Sequence, residues 1–137
     1  LEIRKSINNN FTIYSNLSYF KSEVNIQGRT RQLQGQSPYI INTGLYYTKG
    51  KYSVNMFYNR IGERISAVGF QGYPDIYENA RDVIDMTVQY QTKKISIKFG
   101  VSDLLGQYSK FYQNNQNRTL IKTNNEQTIN LNINYKL

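Results

Sequence analysis

The feature that most constrains this chain is a period-two alternation of apolar and polar residues, which recurs from one end to the other. Residues 129–137 show it without a break, because apolar side chains alternate there with asparagine and lysine. Similar segments begin near residues 11, 39, 52, 84 and 95. Alternation sends successive side chains to opposite faces of a β-strand, and no segment with helical spacing competes with it. The sequence therefore predicts an all-β fold.

The strands are long, at about ten residues each, whereas strands of soluble domains average about five or six. A strand that crosses a membrane needs about 9–11 residues. The apolar sides of these segments also end in aromatic residues, which membrane–water interfaces favour. The predicted membrane-edge aromatics are Phe11, Tyr19, Tyr39, Tyr47, Tyr52 and Tyr58. These features predict an antiparallel, up-and-down transmembrane β-barrel, although a soluble β-sandwich that binds anionic ligands could bury the same apolar face.

The connections between strands alternate strictly in length. Short turns are expected at residues 8–10, 48–51 and 91–94, and long polar connections at about 23–37, 62–81 and 107–127. Bacterial outer-membrane barrels have short periplasmic turns and long extracellular loops. The alternation therefore predicts that all three long connections lie outside the cell.

Residues 1–7 are interpreted as one more strand, which gives seven strands with the first and the last running in the same direction. Single-chain bacterial barrels have an even number of strands. We therefore expect residues 1–137 to be the C-terminal part of a larger outer-membrane β-barrel. The final strand is apolar to its last residue and resembles the terminal signal that the barrel assembly machinery reads. The residues that carry this signal are Ile129, Leu131, Ile133, Tyr135 and Leu137.

Composition excludes several classes of function. The 137 residues include no histidine and no cysteine, so the usual general base, thiol nucleophile and zinc ligands are missing. The sequence therefore predicts no enzyme activity, no cofactor and no metal site. The net charge of +8 is spread over the turns and the long connections and forms no basic stripe, so nucleic-acid binding is not expected. Membrane lipid and the phosphates of lipopolysaccharide are the natural partners of the outer cations.

Four segments resemble the barrel of TonB-dependent receptors from Bacteroidota-type bacteria. They are RQLQGQSPY (31–39), YNRIGERI (58–65), PDIYE (74–78) and FGVSDLL (99–105). The resemblance implies a barrel of about 22 strands whose lumen holds an N-terminal plug. It also implies a location in the outer membrane of a Gram-negative bacterium and uptake of a large or scarce nutrient. TonB would drive this uptake through a plug that lies outside this chain, and a surface lipoprotein is a candidate partner.

The second long connection supplies the candidate substrate contacts. It carries aromatic and basic side chains among three glycines, a combination that can grip a substrate by stacking and charge. The residues are Arg64, Phe70, Tyr73, Tyr77 and Arg81. A smaller outer-membrane barrel with a role in adhesion or structure is the alternative within membranes. Asparagines on the polar side of the strands would face the lumen, where they either hydrate it or contact a plug or a substrate.

Overall fold

The computed structural model describes residues 1–26, 28–114 and 118–136, in which every regular element is a β-strand. Seven strands form the main sheet. They are β1 (Glu2–Asn8), β2 (Phe11–Tyr19), β5 (Tyr39–Lys49), β6 (Tyr52–Ile61), β9 (Arg81–Gln91), β10 (Ile95–Ser102) and β13 (Thr128–Tyr135). Their order in the sheet is β1-β2-β5-β6-β9-β10-β13, and each neighbouring pair is antiparallel. The all-β class and the antiparallel pairing are confirmed.

The main sheet is open and no closed barrel is seen in the described residues, so the assignment of the chain to part of a larger transmembrane barrel stays a prediction. The strands β1 and β13 are the two edges of the sheet. In an antiparallel sheet of seven strands the two edge strands run in the same direction, so they cannot pair with each other as neighbours in an up-and-down barrel do. Closure would need further strands between these edges.

The three short turns lie together at one end of the main sheet, which we call the turn end. Each turn is stabilised by a local side-chain hydrogen bond or by a glycine. Asn8 Oδ1 accepts a hydrogen bond from Asn10 N at 2.9 Å, and Thr92 Oγ1 accepts one from Ile95 N at 2.9 Å. Gly50 has a φ of +59°, a conformation that favours glycine, in the turn between β5 and β6.

The three long connections lie at the opposite end, which we call the loop end, and they contain regular structure that the sequence analysis did not predict. They contain six short strands: β3 (Val24–Ile26), β4 (Arg29–Arg31), β7 (Arg64–Ala67), β8 (Ile76–Glu78), β11 (Ser109–Gln113) and β12 (Thr119–Thr123). The strands β7, β8, β11 and β12 form a four-stranded sheet, here called the loop sheet. Its two buried apolar residues, Ile65 and Tyr112, explain why these connections fold.

The first long connection is tied to the loop sheet by three contacts. Gly35 N donates to the Ile65 carbonyl at 2.8 Å, and Gln34 Nε2 donates to the Ser66 carbonyl at 3.0 Å. An Arg31–Asp75 ion pair at 3.5 Å is the third contact. All three long connections therefore form a single body above the loop end.

Candidate membrane interface and loop-end cleft

One face of the main sheet is apolar over the six strands from β2 to β13 in sheet order, and we call it the apolar face; β1 adds Ile3 and Lys5 to it. The register makes it continuous, because directly opposed residues share a face. One row across the sheet shows its character: Ile13, Leu45, Met56, Met86, Val101 and Ile129 are successive cross-strand neighbours. The six predicted membrane-edge aromatics all lie on this face, toward its two ends. Their depth in a membrane stays a prediction.

The turns of successive hairpins are displaced by two residues in a constant direction. Phe11, next to the first turn, is opposite Tyr47, and the second turn begins two residues further on at the Lys49–Tyr52 pair. Tyr52 is opposite Tyr90, and the third turn begins two residues beyond it, where Thr92 N donates to the Ile95 carbonyl. The step is about 6.6 Å along the strand for every two strand spacings of about 4.8 Å, which corresponds to a strand tilt of about 35°.

Aromatic residues at the turn end follow this step. Consider a line drawn across the sheet that moves one residue further toward the turn end at each successive strand. Five aromatic residues on the apolar face lie on this line or within one residue of it. These are Phe11, Tyr47, Tyr52, Tyr90 and Tyr135. Tyr90 and Tyr135 were not among the predicted edge aromatics. Their alternating positions in β9 and β13 are visible in the sequence, but only the register shows that they share a line with the other three.

A second line follows the loop end, eight residues away along β2, β5, β6 and β9. It passes through Tyr19, Tyr39, Arg60 and Asp82, which are each eight residues from Phe11, Tyr47, Tyr52 and Tyr90, respectively. Tyr58 lies just inside this line. Arg60 and Asp82, which the sequence did not single out as edge residues, therefore occupy the same level as the two tyrosines.

Arg60 and Asp82, the charged pair on the loop-end line, form hydrogen bonds with each other and with two tyrosines. Arg60 Nη1 donates to both carboxylate oxygens of Asp82 at 2.8 Å, and Arg60 Nε donates to the Tyr39 hydroxyl at 3.3 Å. The Tyr58 hydroxyl donates to Asp82 Oδ1 at 2.7 Å. Paired and hydrogen-bonded charges tolerate an apolar boundary far better than isolated ones do.

The remaining polar side chains on the apolar face have similar explanations. Ser15 and Thr43 are opposite each other, and their hydroxyl oxygens are 3.2 Å apart. Lys5 is opposite Ile13 and lies within one residue of the turn-end line when that line is extended to β1. Lys49 lies beyond that line, at the second turn. The charges that β1, β5, β6 and β9 carry on this face are therefore at its two ends.

The apolar face has no covering layer within the described residues. The buried apolar side chains described in the chain, Ile65 and Tyr112, both belong to the loop sheet. The solvent-accessible surface is 10024 Å² for 16.1 kDa, whereas a compact monomer of this mass exposes about 7,400 Å². The main sheet therefore carries surface that a self-contained soluble domain would bury.

The opposite face of the main sheet is polar. The structure places on it all seven asparagines expected to line a lumen: Asn16, Asn42, Asn55, Asn59, Asn130, Asn132 and Asn134. Asn59 Nδ2 donates to Asn42 Oδ1 at 2.7 Å. Apolar and aromatic side chains interrupt this face at Tyr14, Ile40, Ile61 and Val83 and at Tyr46, which meets Phe57 edge-on with ring centroids 5.4 Å apart.

The predicted terminal strand is the edge strand β13. Its residues Ile129, Leu131, Ile133 and Tyr135 are directly opposite residues of β10 and are all more than half exposed. Leu137, the last residue of the predicted assembly signal, lies outside the described residues.

The five predicted substrate contacts are separated by the fold. Arg64 is bound to Glu78 at 2.7 Å on the neighbouring strand, and Tyr77 stacks on Tyr112 with centroids 5.6 Å apart. Burial, together with the nearby Asp75 and Glu63 carboxylates, raises the pKa of Tyr77 above its ordinary value. Arg81 is opposite Ile61 on the polar face of the main sheet.

Phe70 and Tyr73 are different, because they project from the tip of the β7–β8 hairpin and are 76% and 71% exposed. The tip is compact: Tyr73 N donates to the Phe70 carbonyl at 3.1 Å, and a Cβ at Gly69 would overlap the Tyr73 carbonyl oxygen. The structure thus leaves two of the five predicted contacts available to a ligand.

A cleft of about 910 Å³ opens at the loop end, between the main sheet and the third long connection. We call it the loop-end cleft. Tyr39, Arg60 and Asp82 form its wall on the main sheet, and Tyr108 and Lys122 line it from the connection. Among the described residues no group of three or more acidic side chains could hold a metal ion.

Searches of protein-family models, curated proteins and solved structures find no match to this chain. No helix capable of crossing a lipid bilayer occurs in residues 1–26, 28–114 or 118–136.

Proposed function

We propose that the main sheet is part of the wall of an outer-membrane β-barrel, with the apolar face toward lipid. One observation carries this proposal: the apolar face extends over six neighbouring strands, and on β2, β5, β6 and β9 it has aromatic or charged boundaries eight residues apart. A protein core would need no such pair of parallel boundaries, because both ends of a buried strand meet similar surroundings. A bilayer has two interfaces at a fixed separation, and aromatic rings favour both of them.

The dimensions agree with this proposal. Eight residues span about 26 Å along a strand, and a tilt of about 35° reduces this to a height of about 22 Å. Transmembrane barrels have an apolar band about 25 Å tall and strands tilted by about 35–45°. The asymmetry of the connections supports the same orientation, with the turn end toward the periplasm and the loop end outside the cell.

We propose further that the protein is a TonB-dependent transporter for a large or scarce nutrient. The support is the resemblance of segments 31–39, 58–65, 74–78 and 99–105 to such receptors, together with a polar face suited to a hydrated or plugged lumen. In this proposal Phe70 and Tyr73 contact the substrate from outside. The partners are lipopolysaccharide, the barrel assembly machinery, TonB and a surface lipoprotein.

A cysteine-labelling experiment tests the orientation of the wall. The chain has no cysteine, so a dye can be attached in it at one introduced position. Met86→Cys places the dye on the apolar face between the two boundary lines, and Thr87→Cys places it on the polar face one residue away. In the full-length protein reconstituted in vesicles with nitroxide-bearing lipids, we expect strong quenching at position 86 and little at position 87.

Equal quenching at the two positions would contradict the assignment of faces. If neither dye is quenched, the apolar face is covered by protein, as in the soluble β-sandwich alternative. Ser53→Cys is a second control on the polar face, near the second turn, and little quenching is expected there as at position 87.

Energy-coupled transport is tested separately. The full-length protein in detergent is mixed with the purified periplasmic domain of TonB, and complex formation is measured by size-exclusion chromatography with light scattering. We expect a complex, because the transport proposal requires a TonB-contacting segment. Absence of a complex at micromolar concentrations would overturn the transport proposal and favour the small-barrel alternative, without affecting the membrane wall.

A further inference from the structure

The loop-end cleft begins where the apolar face ends. Tyr39, Arg60 and Asp82 belong both to the cleft and to the loop-end boundary line. The next residues inward on the same face are Tyr58 and Ile84, a directly opposed pair. A molecule in the cleft would therefore be in reach of the apolar face on one side and of the long connections on the other.

Two cationic groups of the cleft keep unused bonding capacity. The Lys122 ammonium is 3.7 Å from the centroid of the Tyr108 ring, and among the described residues no carboxylate is within ion-pairing distance of it. Arg60 spends Nη1 and Nε on Asp82 and Tyr39. Its Nη2 group makes no hydrogen bond with the described residues, so its donors remain for a ligand.

The overall charge of the cleft also favours an anion. Its lining contains the cations Arg60, Lys110 and Lys122 against the carboxylates Glu63 and Asp82. Arginine and lysine together are the usual binders of phosphate groups. A volume of about 910 Å³ suits a whole headgroup, since ligand pockets range over about 300–1,000 Å³.

We propose that the loop-end cleft binds the phosphorylated headgroup of an anionic outer-leaflet lipid, with Lys122 and Arg60 as the phosphate contacts. The acyl chains then lie on the apolar face beside Tyr58 and Ile84. This arrangement gives one molecule both an apolar and an ionic contact, which free phosphate cannot use. The inference rests on the proposed membrane wall and adds a specific lipid site to it.

A binding experiment uses the full-length protein in a nonionic detergent. The probes are dye-labelled phosphorylated lipid A, the same lipid stripped of its phosphates, and inorganic phosphate as a competitor. We expect preferential binding of the phosphorylated lipid, which salt weakens. Lys122→Gln should reduce its affinity about fivefold, the effect of one lysine at an anionic surface, and Lys122→Arg should retain it. Lys49→Gln removes the same charge at the turn end and should leave the affinity unchanged.

Each other outcome overturns the site. Equal losses for Lys122→Gln and Lys49→Gln would mean general electrostatic attraction, and equal binding of the stripped lipid would mean that phosphate is not recognised. Complete competition by inorganic phosphate at millimolar concentration would mean a site for the free anion. If the dye at position 86 is quenched by lipid and the lipid A experiment fails, only the cleft assignment falls. If that dye is not quenched, the membrane wall itself is wrong.

Discussion

Met56 and Asn55 are consecutive residues of β6 whose side chains lie on opposite faces of the main sheet. Met56 is opposite Leu45 and Met86, midway between the two boundary lines of the apolar face. Asn55 is opposite Tyr46 and Thr87 on the polar face. The two positions share backbone, strand and depth, so a difference between them reports the surroundings of each face.

An arginine at these two positions should therefore have unequal costs. In lipid, Met56→Arg should lower the free energy of unfolding by about 2–4 kcal/mol, because a charge at mid-depth on the lipid side is poorly solvated. Asn55→Arg should cost much less, since the polar face tolerates charge. Urea unfolding of the full-length protein in vesicles, followed by tyrosine fluorescence, measures both values.

Met56→Leu is the matched control, and we expect it to change stability by less than about 1.5 kcal/mol because it nearly conserves volume. Equal destabilisation by the two arginines would show that the faces do not differ in environment.

The Arg60–Asp82 pair shows which feature of the site could not be predicted from the sequence. The alternation in β6 and β9 assigns Arg60 and Asp82 to the same parity as their apolar neighbours, and this is visible in the sequence. Their bidentate contact at 2.8 Å depends on the register between two strands joined by a long connection. Alternation assigns residues to a face but says nothing about which residue lies opposite which.

At the scale of elements, the loop sheet is stabilised separately from the main sheet. Ile65 is 2% exposed, and Tyr112 is 6% exposed and stacked on Tyr77. Cross-strand pairing of Arg64 with Glu78 adds an ion pair at the sheet surface. Since elements with different cores can open independently, the loop sheet should unfold without the main sheet.

Hydrogen exchange tests this independence. Ile65→Ala removes the most buried side chain of the loop sheet, and such truncations cost about 2–4 kcal/mol. We expect amide exchange in β7, β8 and β11 to accelerate about 30-fold or more, while exchange in β5, β6 and β9 stays unchanged.

Phe70→Ala is the control, because Phe70 is 76% exposed at the hairpin tip and has little packing to lose. Acceleration throughout both sheets in the Ile65→Ala variant would show instead that they unfold as one unit.

The loop sheet is also the part of the fold that the sequence did not predict. The main strands have seven to eleven residues, and an alternation of that length is clear. By contrast, β7 and β8 have four and three residues, too few for a period to be recognised. Their stability comes from contacts with other connections, such as the pairing of β8 with β11, and these contacts are remote in sequence.

At the scale of the whole molecule, no second layer covers the main sheet among residues 1–26, 28–114 and 118–136. The accessible surface of the chain exceeds that of a compact monomer of equal mass by about 2,600 Å². The two buried apolar side chains of the loop sheet are too few to compensate for the apolar surface that the main sheet leaves exposed. In the proposed outer-membrane location, lipid covers the apolar face over its whole extent.

The constant step between hairpins has a consequence for how such a wall is assembled. Each hairpin of β5–β6 and its successor β9–β10 advances its turn by two residues relative to the one before. Each hairpin contains its own boundary residues. A hairpin is thus a self-contained unit, and its duplication or loss would leave the rest of the apolar band level. A wall made from such units can change its circumference without redesign of the strands that remain.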